Sequence, residues 1–250
     1  MTHSRNYSSS ICCALTLALA FLLLSAQAQF NDYESFSKAQ KEHASIAPSD
    51  LILPPELAED LKIEVWAKSP LVYSPVSMDM DAQGRIWYSE AIDHQNWGAK
   101  RIKNGMSIIV VSDTDSDGNA DKSHVFVTEK FPQVPFGVTV FDNKIVVVAT
   151  PEIIVYTDVN RNAVFDKGID KREVFLSGIS APNEYHVLHQ IVPAPSGQWH
   201  FTYGNCGNDI RTKDGRHFIS GSYYQSSQFI GKKSSDGHLY IGGLGLRVNP

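Results

Sequence analysis

Cysteine is scarce: the 250 residues hold three, and two of them, Cys12 and Cys13, sit together in the first apolar run. Cys206 is then alone in the rest of the chain, and one thiol closes no internal disulfide. Basic charge is in deficit too. Lys plus Arg is 22 against 27 Asp plus Glu, a net charge of -5, so the chain lacks the field that meets phosphates and no nucleic-acid partner is expected. Past residue 62 no segment shows a helical period. What is present, 42% hydrophobic residues with 17 Gly and 12 Pro, reads as a core built from strands and tight turns.

Residues 11–24 are apolar, Arg5 precedes them, and Ala26-Gln27-Ala28 follows as a small-residue cleavage site. This pattern predicts a signal peptide over 1–28, cleaved after Ala28, and an exported protein, periplasmic or extracellular. A membrane anchor is the competing reading, but the run falls short of the roughly 20 residues a bilayer needs. Residues 29–60 are polar, with Pro54-Pro55 near their end, and read as an N-terminal arm.

Residues 61–250 carry short runs of alternating or continuous β-branched residues bounded by Gly, Asp, Asn or Pro, from Ile63-Glu64-Val65-Trp66 onward. The class is all-β. The runs also repeat. Ile108-Ile109-Val110-Val111-Ser112-Asp113 returns as Ile153-Ile154-Val155-Tyr156-Thr157-Asp158, and Asp121-Lys122 with Val125-Phe126 returns as Asp170-Lys171 with Val174-Phe175. The strand-turn-strand around Asp81 to Tyr88 is echoed around Asp142 and again around Gly197. Such self-similarity predicts a β-propeller rather than a sandwich. At roughly 40–50 residues per blade, about four blades fit into 61–250, a partial propeller expected to continue in a longer protein.

Two loops between these runs are acidic. DTDSDGNADK carries Asp113, Asp115, Asp117 and Asp121, with Gly118 sixth, the way one loop wraps oxygens around Ca²⁺. Its copy has Asp158, Asn160, Asn162 and Asp166 at the same spacing, with less charge and Ala163 in place of the glycine. His124 stands where an EF-hand would place its bidentate Glu, so a Ca²⁺ loop in a β setting is expected, structural rather than catalytic. Plain turn-capping by Asp and Asn is the competing reading.

Of nine histidines, His94 lies in a polar, aromatic loop, while His186 and His189 precede a run leading to Trp199. A histidine near neutral pKa at a blade mouth can serve as general base toward an alcohol. Gly204 and Gly207 would let backbone approach a ligand. On chemistry alone a merely structural histidine is the slightly better reading.

His186, Pro195, Gln198-Trp199-His200-Phe201 and Gly204 with Gly207, taken in that order, resemble the soluble quinoprotein glucose/sorbosone dehydrogenase family. The Asp81 to Glu90 stretch is similar to that family's first-blade turn and strand. The acidic loop and its copy resemble the secreted, propeller-type "membrane-bound dehydrogenase" proteins, in which a haem-binding domain often follows. The resemblance implies a propeller, six-bladed when complete, holding pyrroloquinoline quinone (PQQ) with Ca²⁺. It further implies His186 as the base, Glu90, Gly204 and Gly207 near the cofactor, a sugar or sugar-like alcohol as substrate, and a downstream haem domain as partner. Tyr185 stands where the glucose dehydrogenases have Asp, so the orienting carboxylate would be Glu184 or another group. The alternatives are a non-catalytic, Ca²⁺-stabilised propeller binding a glycan or protein, and, more weakly, a lactone-hydrolysing calcium propeller.

Overall fold

The computed structural model describes residues 61–90, 105–179, 186–204, 208–212, 214–221 and 231–250. All regular structure among them is β. The first sheet is an antiparallel meander of β1 (Pro75–Met80), β2 (Ile86–Glu90), β3 (Met106–Ser112) and β4 (Lys122–Glu129). The second repeats it with β5 (Gly137–Phe141), β6 (Lys144–Ala149), β7 (Glu152–Thr157) and β8 (Lys171–Ile179). A third begins with β9 (Leu188–Pro193) and β10 (Trp199–Tyr203) and is completed by β14 (Leu244–Val248). The chain between β10 and β14 forms a hairpin of β11 (Asn208–Arg211) and β12 (His217–Gly221). This hairpin widens the second sheet beyond β8, and β13 (Tyr240–Ile241) lies parallel to β12. None of the three sheets closes on itself.

The continuous apolar runs of β6 and β7 are explained by burial on both faces. Ile145, Val147, Ile154 and Tyr156 pack with Trp87, Ile108, Val110 and Phe126 of the first sheet. The alternate residues, Val146, Val148, Ile153 and Val155, pack with Leu188, Ile191, Trp199 and Phe201 of the third. Each such side chain contributes roughly 1.5–3 kcal/mol by leaving water. β10 has only one covered face, and its residues alternate buried and exposed accordingly.

The first strands of the sheets stand side by side and run the same way. Ser77 Oγ and Asp79 Oδ2 on β1 accept hydrogen bonds from the Val138 and Val140 amides of β5, at 3.2 and 2.8 Å. Thr139 Oγ1 on β5 donates to the Ile191 carbonyl of β9 at 2.6 Å, and Gln190 Nε2 donates to the Val138 carbonyl at 3.2 Å. Side chains bonding to the neighbouring backbone thus replace a ladder.

Residues 63–66, expected as a strand, form none. Trp66 instead joins Leu71 and Val72 in covering Tyr88, Ile109 and Val111 on the outer face of the first sheet. Its carbonyl accepts from the Ala120 amide at 2.8 Å. An apolar stretch that lies over a sheet satisfies the same alternation as one that joins it.

Candidate functional site

Strand pairing divides the stack into two ends. Pro75 pairs with Glu90, Gly137 with Val148, and Leu188 with Tyr203, so first strands begin and second strands finish at one end. Glu90 is buried there, at the close of β2. His186 is exposed two residues before β9 and lies against Gly204, which follows β10. A Cβ on Gly204 would collide with the His186 carbonyl, so glycine at this position sets how closely the histidine's backbone can approach. Glu90, His186 and Gly204 therefore gather at one end. Gly207, His94, Glu184 and Tyr185 lie outside the described residues, as do the expected leader and arm.

The acidic loops sit at the other end, where Met80 pairs with Ile86, Ser112 with Lys122, and Thr157 with Lys171. Asp81 anchors the first turn at this end. Its carboxylate accepts from the Gln83 and Arg85 amides, from Arg85 Nε at 2.6 Å and from Trp87 Nε1 at 2.7 Å. Burial opposes its ionisation, but the Trp87 and Arg85 hydrogen bonds prevail and hold the carboxyl below its ordinary range.

In the first loop, carboxylate oxygens of Asp113, Asp115 and Asp117 converge to within 4.8 Å of one another. Asp113 holds the loop's shape by accepting from the Ser116 and Gly118 amides, at 2.7 and 3.0 Å. Asp121 accepts from the Thr114 amide at 3.0 Å. The second loop repeats this scaffold: Asp158 accepts from the Asn162 and Ala163 amides, at 3.2 and 2.8 Å. Left-handed residues recur in register as well, Ser116 with Arg161 and Gly118 with Ala163. The counterpart of Asp121, however, is Asp170, which accepts from the Val159 amide at 2.8 Å and from that of Asp166 at 2.7 Å. Ligand spacing alone pairs Asp121 with Asp166. Four inserted residues moved the real counterpart along the chain.

Asp166 plays a different part. Its Oδ2 accepts from Nδ2 of both Asn160 and Asn162, each at 2.8 Å, and these bonds hold its carboxyl below the ordinary range. Asn162 Oδ1 is bound to the Val164 amide at 2.8 Å, which turns its donor end toward Asp166. Asn160 and Asn162 thus put two amide donors in the middle of this loop, where the first loop has Asp115 and Asp117.

Residues 52–234 match DUF7133, described as a domain of unknown function. The chain belongs to that family. No curated protein matches it. Among solved structures, the calcium and iodide forms of a Trichoderma reesei carbohydrate-active enzyme of family AA12 are similar, each at 11% identity, with TM-scores of 0.39 and 0.35. They cover 57% and 53% of this chain, which spans only 32% and 30% of theirs. A likeness that distant carries no argument.

Two polar groups of this DUF7133 chain that sequence reading missed lie toward the His186 end. Thr150 follows β6 and is fully buried, and its hydroxyl has no hydrogen-bond partner among the described residues. Asn208 opens β11 beside Ile179, whose amide donates to the Pro151 carbonyl at 3.2 Å. Its Nδ2 donates to Ser220 Oγ, but its buried Oδ1 has no partner among the described residues. An orphaned buried polar atom costs about 1–3 kcal/mol, a cost that a polar ligand could relieve. Nothing in the local sequence marks either residue, and Asn208 is set in place by the tertiary pairing of β8 with β11.

Proposed function

We propose that this DUF7133 chain is part of an exported β-propeller, six-bladed when complete, that oxidises a sugar or related alcohol in the manner of the quinoprotein dehydrogenases. Each sheet would be a blade. The parallel placing of β1, β5 and β9 beside one another supports radial stacking, with the first strands innermost. The observation that carries the functional reading is the gathering of Glu90, His186, Gly204, Thr150 and Asn208 toward one end. An exposed imidazole, a buried carboxylate, a hydroxyl and an amide carbonyl suit a substrate rich in hydroxyl groups.

In this reading, His186 accepts the proton of the substrate hydroxyl as hydride leaves the adjoining carbon. Gly204 holds the backbone of that histidine close to the floor of the site. Thr150 and Asn208 bind further hydroxyls. Pyrroloquinoline quinone, when bound, would supply the two-electron acceptor. One other reading is a non-catalytic propeller that binds a glycan at the same end, where the same carboxylate, hydroxyl and amide groups would meet sugar hydroxyls. A Ca²⁺ ion held by Asp113, Asp115 and Asp117 would, in either case, stiffen a loop at the opposite end.

The test is reconstitution with the quinone and Ca²⁺, following quinone binding by its absorbance and turnover by dye reduction across a sugar panel. Dye reduction that falls at least about a hundredfold in His186→Ala, with quinone binding kept, supports the dehydrogenase. Glycan binding without quinone binding selects the second reading. Activity undiminished in His186→Ala removes the role of that histidine.

A further inference from the structure

The second acidic loop crosses from the second sheet to the first. The Ala163 carbonyl accepts from His124 Nε2 of β4 at 3.0 Å, and the Phe165 amide donates to the Phe126 carbonyl at 2.9 Å. The Phe165 ring packs edge-on against Phe126 and Tyr156, with centroids 6.2 and 5.3 Å away. Held this way, the loop brings Arg161 to a cavity of about 440 Å³ whose other walls are the β1–β2 and β5–β6 hairpins. Among the described residues, none of the third sheet lines it.

Every carboxylate in this cavity is already engaged. Asp81 accepts four hydrogen bonds, two of them from Arg85 Nε and Trp87 Nε1. Asp142 faces Arg161 with both oxygens, Oδ1 to Nη1 at 2.7 Å and Oδ2 to Nη2 at 2.9 Å, and this pairing holds its carboxyl below the ordinary range. Asp158 directs both oxygens at amides of its own loop. A cation therefore finds no free carboxylate, and an anion meets three carboxylates against two guanidinia.

What is left is hydrogen-bonding capacity. Arg85 is pinned by Nε on Asp81 and lies over the Trp87 ring, Cζ 5.7 Å from the centroid, so its two Nη groups form a fixed outer edge. Among the described residues those Nη groups have no hydrogen-bond partner, and neither has the side-chain amide of Gln83. Asn143 Nδ2 donates to the Asp158 carbonyl at 3.1 Å, which leaves Oδ1 as an acceptor.

We propose that this cavity binds a neutral mono- or disaccharide, at the end of the stack opposite His186. Each sugar hydroxyl both donates and accepts, which matches a fixed pair of guanidinium donors, an amide and an amide carbonyl side by side. The volume falls within the range of small-ligand sites, roughly 300–1,000 Å³. None of the residues gathered at the His186 end lines this cavity, so the site is independent of the reading given there.

The test is saturation-transfer NMR on the full chain with glucose, galactose, mannose and cellobiose, and with acetate and inorganic phosphate as competing anions. Saturable transfer to a neutral sugar is expected, undisturbed by either anion. Arg85→Lys keeps the charge but not the paired Nη donors, and should weaken binding about tenfold. Gln83→Ala, in an exposed turn, should weaken it about threefold without moving the thermal transition. His186→Ala should leave binding intact, which separates this site from the one at the other end. No transfer to any of the sugars, displacement by either anion, binding indifferent to both Arg85→Lys and Gln83→Ala, or binding lost in His186→Ala would each overturn the proposal.

Discussion

The loops at 113–121 and 158–170 start from one backbone plan and end in different work. Both open with an Asp that holds amides three to five residues on, and both close with an Asp that holds the second residue of the loop. Both place left-handed residues at the same two positions. The first loop stays exposed, with three converging carboxylates that repel one another unless a cation lies between them. The second replaces two of those acids with asparagines, satisfies Asp166 internally, and uses its inserted residues to reach the neighbouring sheet. A shared scaffold therefore fixes loop shape, while the middle positions decide between a cation cage and a mechanical latch.

The largest expected effect is on the latch. Phe165→Ala removes the ring packed between Phe126 and Tyr156, and should cost about 3 kcal/mol, read as a lowered midpoint in denaturant unfolding. Next is the closing aspartate. Asp170→Ala strips the partner from the Val159 and Asp166 amides in a buried setting, and should cost about 2 kcal/mol, with Asp121→Ala clearly less because its loop is exposed. Equal losses in the two variants would break the comparison.

Smaller still is the backbone term. Gly118 has φ +94° and an added methyl there would meet only open space, so Gly118→Ala should lose about 1 kcal/mol through strain alone. Ala163 tolerates its φ of 60° because its methyl is fully buried in the core. Ala163→Gly should accordingly change stability less than Gly118→Ala, as thermal unfolding of the pair would reveal.

The acid response completes the series. Hydrogen bonds from Thr114 lower the carboxyl of Asp121, and those from Asn160 and Asn162 lower that of Asp166. Groups depressed in the folded state lend stability that is present above their unfolded value and is lost as pH falls through the folded value. Unfolding midpoints should therefore drop as pH is taken below about 4, the ordinary carboxylate value. Asp166→Asn should flatten part of that drop.

Most strands were legible because β-branched runs bounded by turns leave few other options, and the repeat of Asp113 at Asp158 was visible directly. The pairing of Asp121 with Asp170 was half visible, in the shared Asp-Lys that follows each loop, but ligand spacing pointed to Asp166 instead. The addition of β11 to the edge of β8 could not be read from sequence, since it joins strands across the whole start of the third sheet. The orphaned Oδ1 of Asn208 sits at that same pairing and was equally hidden. His186 and Gly204 drew notice as residue types, and their contact came from the pairing of β9 with β10.

Calorimetric titration with Ca²⁺ tests the division between the two loops most directly, on the native chain and on Asp117→Asn and Asp166→Asn. A single site that is lost in Asp117→Asn and retained in Asp166→Asn is the predicted result. Two equivalent sites, or a site that disappears with Asp166, would contradict it.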